Sequence, residues 1–191
     1  MLRSIDSQIK FTIMSNNRSR RSIRLKSYDY SADGAYFITV CVRNRECLLG
    51  EINDGRMILN QYGAVVRNIW EDLPDRLPDI DLDEYAIMPN HFHAIILINK
   101  SPESIEIHKD LDVDDIKTRR KMILPKVVGR FKMLAAKAIN QRREIEGSFW
   151  QRNYYERVIR SEQDCQIGRQ YSINNPVQWE MDEHYPRASN K

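Results

Sequence analysis

The sequence predicts an α+β fold in which helices pack on an antiparallel sheet. Runs rich in β-branched and aromatic residues have strand length, and an Asn-Asp-Gly turn separates two short apolar runs. Between these strands lie longer segments whose apolar residues recur at helical spacing. The chain has 191 residues, of which 41% are hydrophobic and 30% charged. This length and composition fit one globular domain with a substantial core.

The elements of the N-terminal half follow from local patterns. The run "AYFITVCV", residues 35–42, predicts the first strand. "CLLGEINDGRMILN" predicts a hairpin with Asn53, Asp54 and Gly55 at its turn. From Gln61, "QYGAVVRNIWEDL" has apolar residues at helical spacing, which predicts a helix that ends before proline.

The most apolar run, "YAIMPNHFHAIILI" over residues 85–98, predicts the next strand. Pro89 lies inside this run and has no amide hydrogen to donate to a neighbouring strand. We therefore expect an edge position or a β-bulge just before the two histidines.

The C-terminal half predicts a surface excursion, a helix, a strand and a final helix. Residues 99–124 are polar and acidic, and "LPKVVGRFKMLAAKAINQRR" then reads as a helix with Pro125 in its first turn. "FWQRNYYERVIR" has strand-like content. Ser161 with Asp164 three residues later marks the start of the last helix, and Pro176 its end.

The chain is expected to divide into a flexible basic arm over residues 1–27, one folded domain over 28–180 and a tail over 181–191. No apolar run has membrane-spanning length, and the N-terminus lacks the features of a signal peptide. The three cysteines match no zinc spacing, which favours reduced thiols in a cytoplasmic protein.

The net charge of +3 is modest, but the basic residues are segregated. "RSRRSIRLK" near the start and the segment 117–143 are basic, whereas "EDLPDRLPDIDLDE" and "KDLDVDD" are acidic. Segregated basic segments are compatible with a phosphate backbone as partner. The alternative is a flexible arm together with a solvated helix face.

Two histidines stand one residue apart in the apolar strand. Side chains alternate along a strand, so His91 and His93 face one side and Phe92 the other. Each buried imidazole without a partner costs about 1–3 kcal/mol, and a divalent cation can relieve this by accepting a nitrogen lone pair from each ring. The alternative is a pair of hydrogen-bonded structural histidines. His108 and His184 have no ligand-spaced partner, so oxygen ligands and Mg²⁺ or Mn²⁺ are expected rather than zinc.

The last helix carries the other candidate residues. Tyr171 and Asn175 are four residues apart and share one helix face. A tyrosine hydroxyl beside a cation becomes a competent nucleophile, and an asparagine amide oxygen can act as a third metal ligand. The alternative is a core-edge aromatic residue and a polar residue at a helix end.

These motifs together resemble the single-tyrosine HUH transposases of bacterial insertion sequences, most closely the REP-associated tyrosine transposases. The resemblance covers residues 24–179, from the first strand "AYFITVCVRNR" through "NHFH" to "FWQRNYYERVIRSEQDCQIGRQYSINNPVQW". It implies a ferredoxin-like fold of the HUH endonuclease type. It also implies that His91 and His93 bind Mg²⁺ or Mn²⁺, that Tyr171 is the nucleophile and that Asn175 is the third ligand.

The resemblance further implies transesterification on single-stranded DNA at hairpin or palindromic sites. The tyrosine would form a 5′-phosphotyrosine link and release a 3′-OH. The expected partner is single-stranded or hairpin DNA, with no membrane. The expected protein is a monomer or homodimer in the bacterial cytoplasm, associated with the nucleoid when bound to DNA.

Rival nucleophiles and DNA contacts come from the basic segments. Tyr154 and Tyr155 are alternative candidates for the nucleophile, but the aromatic residues of their segment suit packing or base stacking better than catalysis. The alternative for the arginines of this segment is ion pairing with Glu156 and Glu162. The candidate DNA contacts are Arg20, Arg21, Arg24, Arg130, Lys132, Trp150, Arg152, Tyr154, Arg157 and Arg160.

Two other functions remain open from the sequence. One is a catalytically silent nucleic-acid-binding or regulatory module derived from such a transposase, and the other is a metal-dependent phosphodiesterase that uses water. The acidic excursion over residues 101–115 exceeds the shorter connection common in the family. Gly168 inside the last helix lowers its stability by about 1 kcal/mol relative to alanine.

Overall fold

The computed structural model describes residues 28–100, 115, 118 and 121–186. The predicted basic arm and most of the acidic excursion lie outside the described residues. The strands and helices are β1 (Gly34–Cys41), β2 (Gly50–Asn53), β3 (Arg56–Leu59), α1 (Gln61–Glu71), β4 (Ile80–Met88), β5 (His91–Ile98), α2 (Ile123–Arg143), β6 (Tyr155–Ile159) and α3 (Glu162–Asn174). Within this part of the chain, no helix combines the length and the apolar composition that a bilayer crossing requires.

A four-stranded antiparallel sheet in the order β4-β5-β1-β6 forms the centre of the fold. The β2–β3 hairpin forms a separate two-stranded sheet, as its Asn-Asp-Gly turn predicts. With the hairpin set aside, the chain runs β-α-β-β-α-β before α3, which is the ferredoxin-like order. The predicted α+β fold with helices on an antiparallel sheet is confirmed.

The prediction of a single strand over residues 85–98 is wrong. Two antiparallel strands, β4 and β5, occupy this region, and Pro89 and Asn90 form the turn between them. Strand β5 is an interior strand between β4 and β1, and the irregularity in pairing lies in β4 between Leu82 and Tyr85. Apolar residues continue across the turn because both strands are buried at this end, so periodicity alone does not reveal the reversal.

One face of the sheet carries the main core, which α1 and α2 cover. Phe92 of β5 is fully buried there, with its ring centroid 4.7 Å from that of Trp70 in α1 and 5.0 Å from that of Phe131 in α2. Tyr36 and Ile38 of β1 belong to the same cluster. This face anchors β5, because Phe92 alternates with the two histidines along the strand.

The opposite face is covered by α3. Phe37 of β1 and Ile95 of β5 pack there with Cys165 of α3 in a second apolar cluster. At Gly168, an added Cβ would lie 3.3 Å from side-chain atoms of both Phe37 and Ile95. The helix therefore approaches the sheet closely at Gly168, three residues before the predicted nucleophile Tyr171.

The ends of α3 agree with the sequence signals. The Ser161 hydroxyl accepts a hydrogen bond from the Asp164 amide at 3.1 Å, which caps the first turn. The helix ends at Asn174, two residues before Pro176. The three cysteines of the chain are unpaired thiols.

Candidate active site

His91 and His93 project from β5 toward the α3 side of the sheet. Both side chains are fully buried, and their ring centroids lie 4.4 Å apart. In the neighbouring strand β1, Cys41 pairs with His91 and Thr39 with His93. The alternation predicted from the sequence is therefore present, with Phe92 on the core face.

Each histidine uses its Nδ1 atom in a buried hydrogen bond. His93 Nδ1 lies 2.7 Å from the Thr39 hydroxyl, and His91 Nδ1 lies 2.8 Å from Asn90 Oδ1. The Nε2 atoms of both rings are buried and have no hydrogen-bond partner among the described residues. Two buried Nε2 atoms without hydrogen bonds fit a site for a divalent cation, which would accept a lone pair from each ring.

Asp182 completes a group of metal-ligand type. One ligand atom each from His91, His93 and Asp182 lie within 4.8 Å of one another, and all three side chains are buried. Two imidazoles and a carboxylate form a donor set compatible with a divalent metal. Asp182 was not among the residues predicted from the sequence, because it lies in the expected C-terminal tail and belongs to no spacing motif.

The predicted residues of α3 meet this group at the same carboxylate. The Tyr171 hydroxyl donates to Asp182 Oδ2 at 3.5 Å, and the Asn175 Nδ2 donates to the same oxygen at 3.1 Å. The rings of Tyr171 and His93 have centroids 5.1 Å apart. The Asn175 Oδ1 is buried without a hydrogen-bond partner in the described part of the chain. The four residues predicted as the chemical site thus lie together, and Asp182 joins them.

His184 also belongs to the cluster, although the sequence offers no ligand-spaced partner for it. Its ring centroid lies 4.6 Å from that of His91, and its backbone amide donates to Asp182 Oδ1 at 2.6 Å. Trp179 packs its ring 5.9 Å from that of His91. The C-terminal segment 179–185 therefore covers the histidine pair. The sequence signal for this part of the site was the run "DEH", residues 182–184, which combines acidic residues with a histidine.

Burial sets the protonation states of the cluster. It lowers the pKa values of His91 and His93 well below their ordinary value, and neighbouring imidazoles lower them further. Burial likewise lowers the pKa of His184 to about 4. The pKa of Tyr171 is raised, first by burial and then by the negative charge of Asp182. The histidines are therefore neutral near pH 7, the form that binds a metal, and the tyrosine is a neutral hydroxyl.

The rival aromatic residues of the predicted basic segment lie mainly in the core. Trp150 is 2% exposed, and its ring centroid is 4.8 Å from that of Phe149 and 5.8 Å from that of Phe131. Tyr154 is also buried, whereas Tyr155 is half-buried on β6. Of the two alternatives for these aromatic residues, the geometry of Trp150 favours packing over base stacking.

The predicted DNA contacts have varied surroundings. The Lys132 ammonium donates to the backbone carbonyls of residues 151, 152 and 153, so it holds that loop to α2. Arg157 forms an ion pair with Asp164 at 3.0 Å, and Glu162 forms one with Arg169. Arg130, Arg152 and Arg160 are exposed. Arg20, Arg21 and Arg24 lie outside the described residues, and a DNA-binding role stays a prediction for all of these side chains.

Two proteins of known sequence are similar to this chain over most of its length. An uncharacterized protein of Haemophilus influenzae is 39% identical over 168 residues, which cover 87% of this chain and 93% of that protein. A second H. influenzae protein, named a putative REP-associated tyrosine transposase, is 23% identical over 149 residues, covering 78% of this chain and 73% of the relative. No protein-family model matches the chain.

A solved structure of a REP-associated tyrosine transposase bound to a REP hairpin has the same fold. Its TM-score is 0.52 at 20% sequence identity, and the match covers 85% of this chain and 74% of the other. The resemblance predicted from the motifs is confirmed by these relatives.

Proposed function

The chain belongs to the same family as the uncharacterized H. influenzae protein, and from this premise we propose that it is a metal-dependent enzyme acting on single-stranded DNA. In this proposal it cleaves and rejoins the DNA at hairpin or palindromic sites. The relationship to the REP-associated tyrosine transposases supports the proposal. The observation that carries the proposal is one buried cluster. Two imidazole Nε2 atoms without hydrogen-bond partners, a carboxylate and a tyrosine hydroxyl meet there, all within the described residues.

The cation we propose is Mg²⁺ or Mn²⁺, held by His91, His93 and Asp182. Its ligands would be the two Nε2 atoms and a carboxylate oxygen, and the buried Asn175 Oδ1 is available as a further ligand. When bound, the ion would polarise the scissile phosphodiester and offset the charge that develops on its oxygens. Burial and then the negative charge of Asp182 raise the pKa of Tyr171, and a cation held by that carboxylate would offset the second effect.

Tyr171 is the nucleophile in the proposed reaction. Its hydroxyl oxygen attacks the phosphorus, forming the tyrosyl O–P bond while the bond between phosphorus and the 3′ oxygen breaks. The hydroxyl proton has a carboxylate acceptor at Asp182 Oδ2, 3.5 Å away. The leaving 3′ oxygen takes a proton and becomes the 3′-OH. The 5′-phosphotyrosine link conserves the phosphodiester energy, so rejoining needs no nucleotide triphosphate.

Access to this cluster requires movement of the C-terminal segment. His91 and His93 have no exposed surface, and Trp179 and His184 pack against His91. A phosphodiester can reach the two histidines only when the side chains that pack over them, among them Trp179 and His184, move aside, while Asp182 stays beside the histidines. DNA binding and rearrangement of this segment are therefore coupled in the proposed reaction.

A second candidate function is favoured by the same burial. A catalytically silent nucleic-acid-binding or regulatory module would have no need of an open site, and complete burial of the histidines fits that role. Such a module binds DNA in a salt-sensitive manner that neither a chelator nor His91→Ala alters.

The test uses single-stranded oligonucleotides that carry a hairpin, incubated with the full chain and Mn²⁺ or Mg²⁺. We expect a protein–DNA adduct that survives denaturing electrophoresis and disappears with a chelator or with His91→Ala. DNA binding without an adduct across a panel of hairpin substrates contradicts the enzyme and supports the silent module.

A further inference from the structure

Asn90 occupies the turn between β4 and β5 and is completely buried. Its side chain makes three hydrogen bonds. The Nδ2 donates to the backbone carbonyl of Arg45 at 3.0 Å and to that of His184 at 2.8 Å, and the Oδ1 contacts His91 Nδ1 at 2.8 Å. One side chain therefore joins the loop after β1, the C-terminal segment and a candidate metal ligand.

The two carbonyl contacts fix the orientation of the Asn90 amide. A backbone carbonyl only accepts hydrogen bonds, so the group facing both carbonyls must be the NH₂ and not the oxygen. The oxygen then faces His91 Nδ1, at 2.8 Å. Because an amide oxygen also only accepts, His91 Nδ1 must carry the proton. If the proton were on Nε2 instead, the lone pair of His91 Nδ1 would face a lone pair of Asn90 Oδ1 in a buried contact, which is unfavourable.

We propose that Asn90 is a positioning residue that holds His91 in the Nδ1-protonated tautomer and fixes the orientation of its ring. The Nε2 of His91 then carries its lone pair toward the side chains of the cluster. The inference rests on the proposed function for the use of that lone pair by a cation. The hydrogen bond itself belongs to the metal-free protein and can be observed there.

Thr39 provides a contrast with Asn90. Its hydroxyl contacts His93 Nδ1 at 2.7 Å and can rotate to donate or accept, so this bond does not select a tautomer. Asn90 has no such freedom, because both of its N–H groups are already used. The Nδ1 contact therefore selects the tautomer of His91 but not that of His93, and the selection at His91 depends on the Asn90 side-chain amide.

The first measurement is the tautomer of His91 in the metal-free full chain near pH 7.5, from long-range ¹H–¹⁵N correlations of the imidazole ring. We expect the proton on Nδ1 in the wild type and in Thr39→Val, which alters only the partner of His93. A wild-type ring that carries its proton on Nε2 overturns the proposal at once, without any variant.

Two substitutions separate the roles of the Asn90 side chain. Asn90→Leu keeps the approximate shape but removes the acceptor, so the tautomer preference of His91 should be lost and Mn²⁺ affinity should fall by about 10–100-fold. Asn90→Asp keeps an acceptor oxygen, so the Nδ1 proton should remain. Asn60→Asp is the matched control, because Asn60 caps α1 and contacts neither histidine.

The outcomes also distinguish this proposal from the proposed function. A folded Asn90→Leu protein with the wild-type tautomer and Mn²⁺ affinity contradicts the role of Asn90. An Nδ1-protonated His91 in the wild type that is lost in Asn90→Leu supports that role even if the wild type binds no Mn²⁺. In that second case it is the proposed metal-dependent function that fails. If Asn90→Leu does not fold, the wild-type and Asn90→Asp spectra still decide the question.

Discussion

Asn175 donates a hydrogen bond from its side-chain Nδ2 to Asp182 Oδ2 over 3.1 Å, and both residues are buried. Asn175 is the C-cap of α3, whereas Asp182 lies in the C-terminal segment that covers the histidine pair. The bond therefore ties that segment to the helix that carries Tyr171. It also orients the Asp182 carboxylate, whose other oxygen accepts from the His184 amide.

The carboxylate of Asp182 is predicted to contribute to cation affinity. Asp182→Asn keeps the side-chain shape but removes the charge, so Mn²⁺ affinity should fall by at least about tenfold, or about 1.4 kcal/mol. Isothermal titration of the metal-free protein measures this. Glu180→Gln is the matched control, because Glu180 is an exposed carboxylate two residues away. Equal Mn²⁺ affinity in Asp182→Asn and the wild type would remove Asp182 from the metal site.

Phe92 is predicted to be a principal contributor to the stability of the fold. It is fully buried between Trp70 and Phe131, so Phe92→Ala leaves a cavity in the core and should lower the free energy of unfolding by about 3–5 kcal/mol. Urea denaturation followed by circular dichroism gives the value. Ile173→Ala, at a side chain that is 56% exposed, should change it by less than about 0.5 kcal/mol. Similar losses for both variants would contradict this packing arrangement.

Two glycines in helices are predicted to respond to alanine in opposite directions. In α1, a Cβ at Gly63 would collide with the backbone carbonyl oxygen of Leu49. Gly63→Ala should therefore destabilise the protein by about 1–3 kcal/mol. In α2, a Cβ at Gly129 meets no atom within 4 Å, so Gly129→Ala should stabilise the protein by up to about 1 kcal/mol. Thermal unfolding of the two variants compares them directly, and a stabilised Gly63→Ala would place α1 farther from Leu49.

The pair between Asp83 and Arg169 predicts a pH dependence of stability. Arg169 of α3 donates from Nε to Asp83 Oδ1 at 2.8 Å and from a second nitrogen to Oδ2, and this holds the pKa of Asp83 below its ordinary value. A carboxyl with a lowered folded pKa stabilises the protein above its unfolded pKa of about 3.9, and the effect is lost as the pH falls through the folded pKa. Asp83→Asn should therefore be less stable than the wild type at pH 7.

This difference between Asp83→Asn and the wild type should shrink steadily below pH 4. Urea denaturation at pH 7, 4 and 2.5 measures it. Asp81→Asn is the control, because Asp81 lies on the same strand and its carboxylate accepts from the neutral amide of Asn99. A difference that is constant across the three pH values would show that the ion pair does not stabilise α3 against β4.

Much of the fold was predictable because its signals are local. Period-two alternation places His91 and His93 opposite Phe92, and the four-residue spacing of Tyr171 and Asn175 places them on one helix face. The start of α3 followed from its cap at Ser161. The turn between β4 and β5 was missed because both strands are apolar at that end, so the hydrophobic run passes through the reversal.

The rest of the site was not predictable because it depends on contacts between distant parts of the chain. Asp182 and His184 reach the histidines only because residues 175–185 fold back over the sheet, and no spacing rule encodes that path. Asn90 is visible beside the histidines in "PNHFH", but its partners Arg45 and His184 are 45 and 94 residues away in sequence. Folding alone brings these groups together.

The identity of the tyrosine that joins DNA is the most direct test of the central claim. The protein is incubated with Mn²⁺ and a hairpin-containing single-stranded oligonucleotide, the adduct is digested with protease and nuclease, and the modified peptide is sequenced by mass spectrometry. We predict a phosphotyrosyl nucleotide on Tyr171, loss of the adduct in Tyr171→Phe and its retention in the matched variant Tyr155→Phe. A Tyr171→Phe protein that still forms the adduct, or a modified peptide that carries the nucleotide on Tyr154 or Tyr155, would contradict the account.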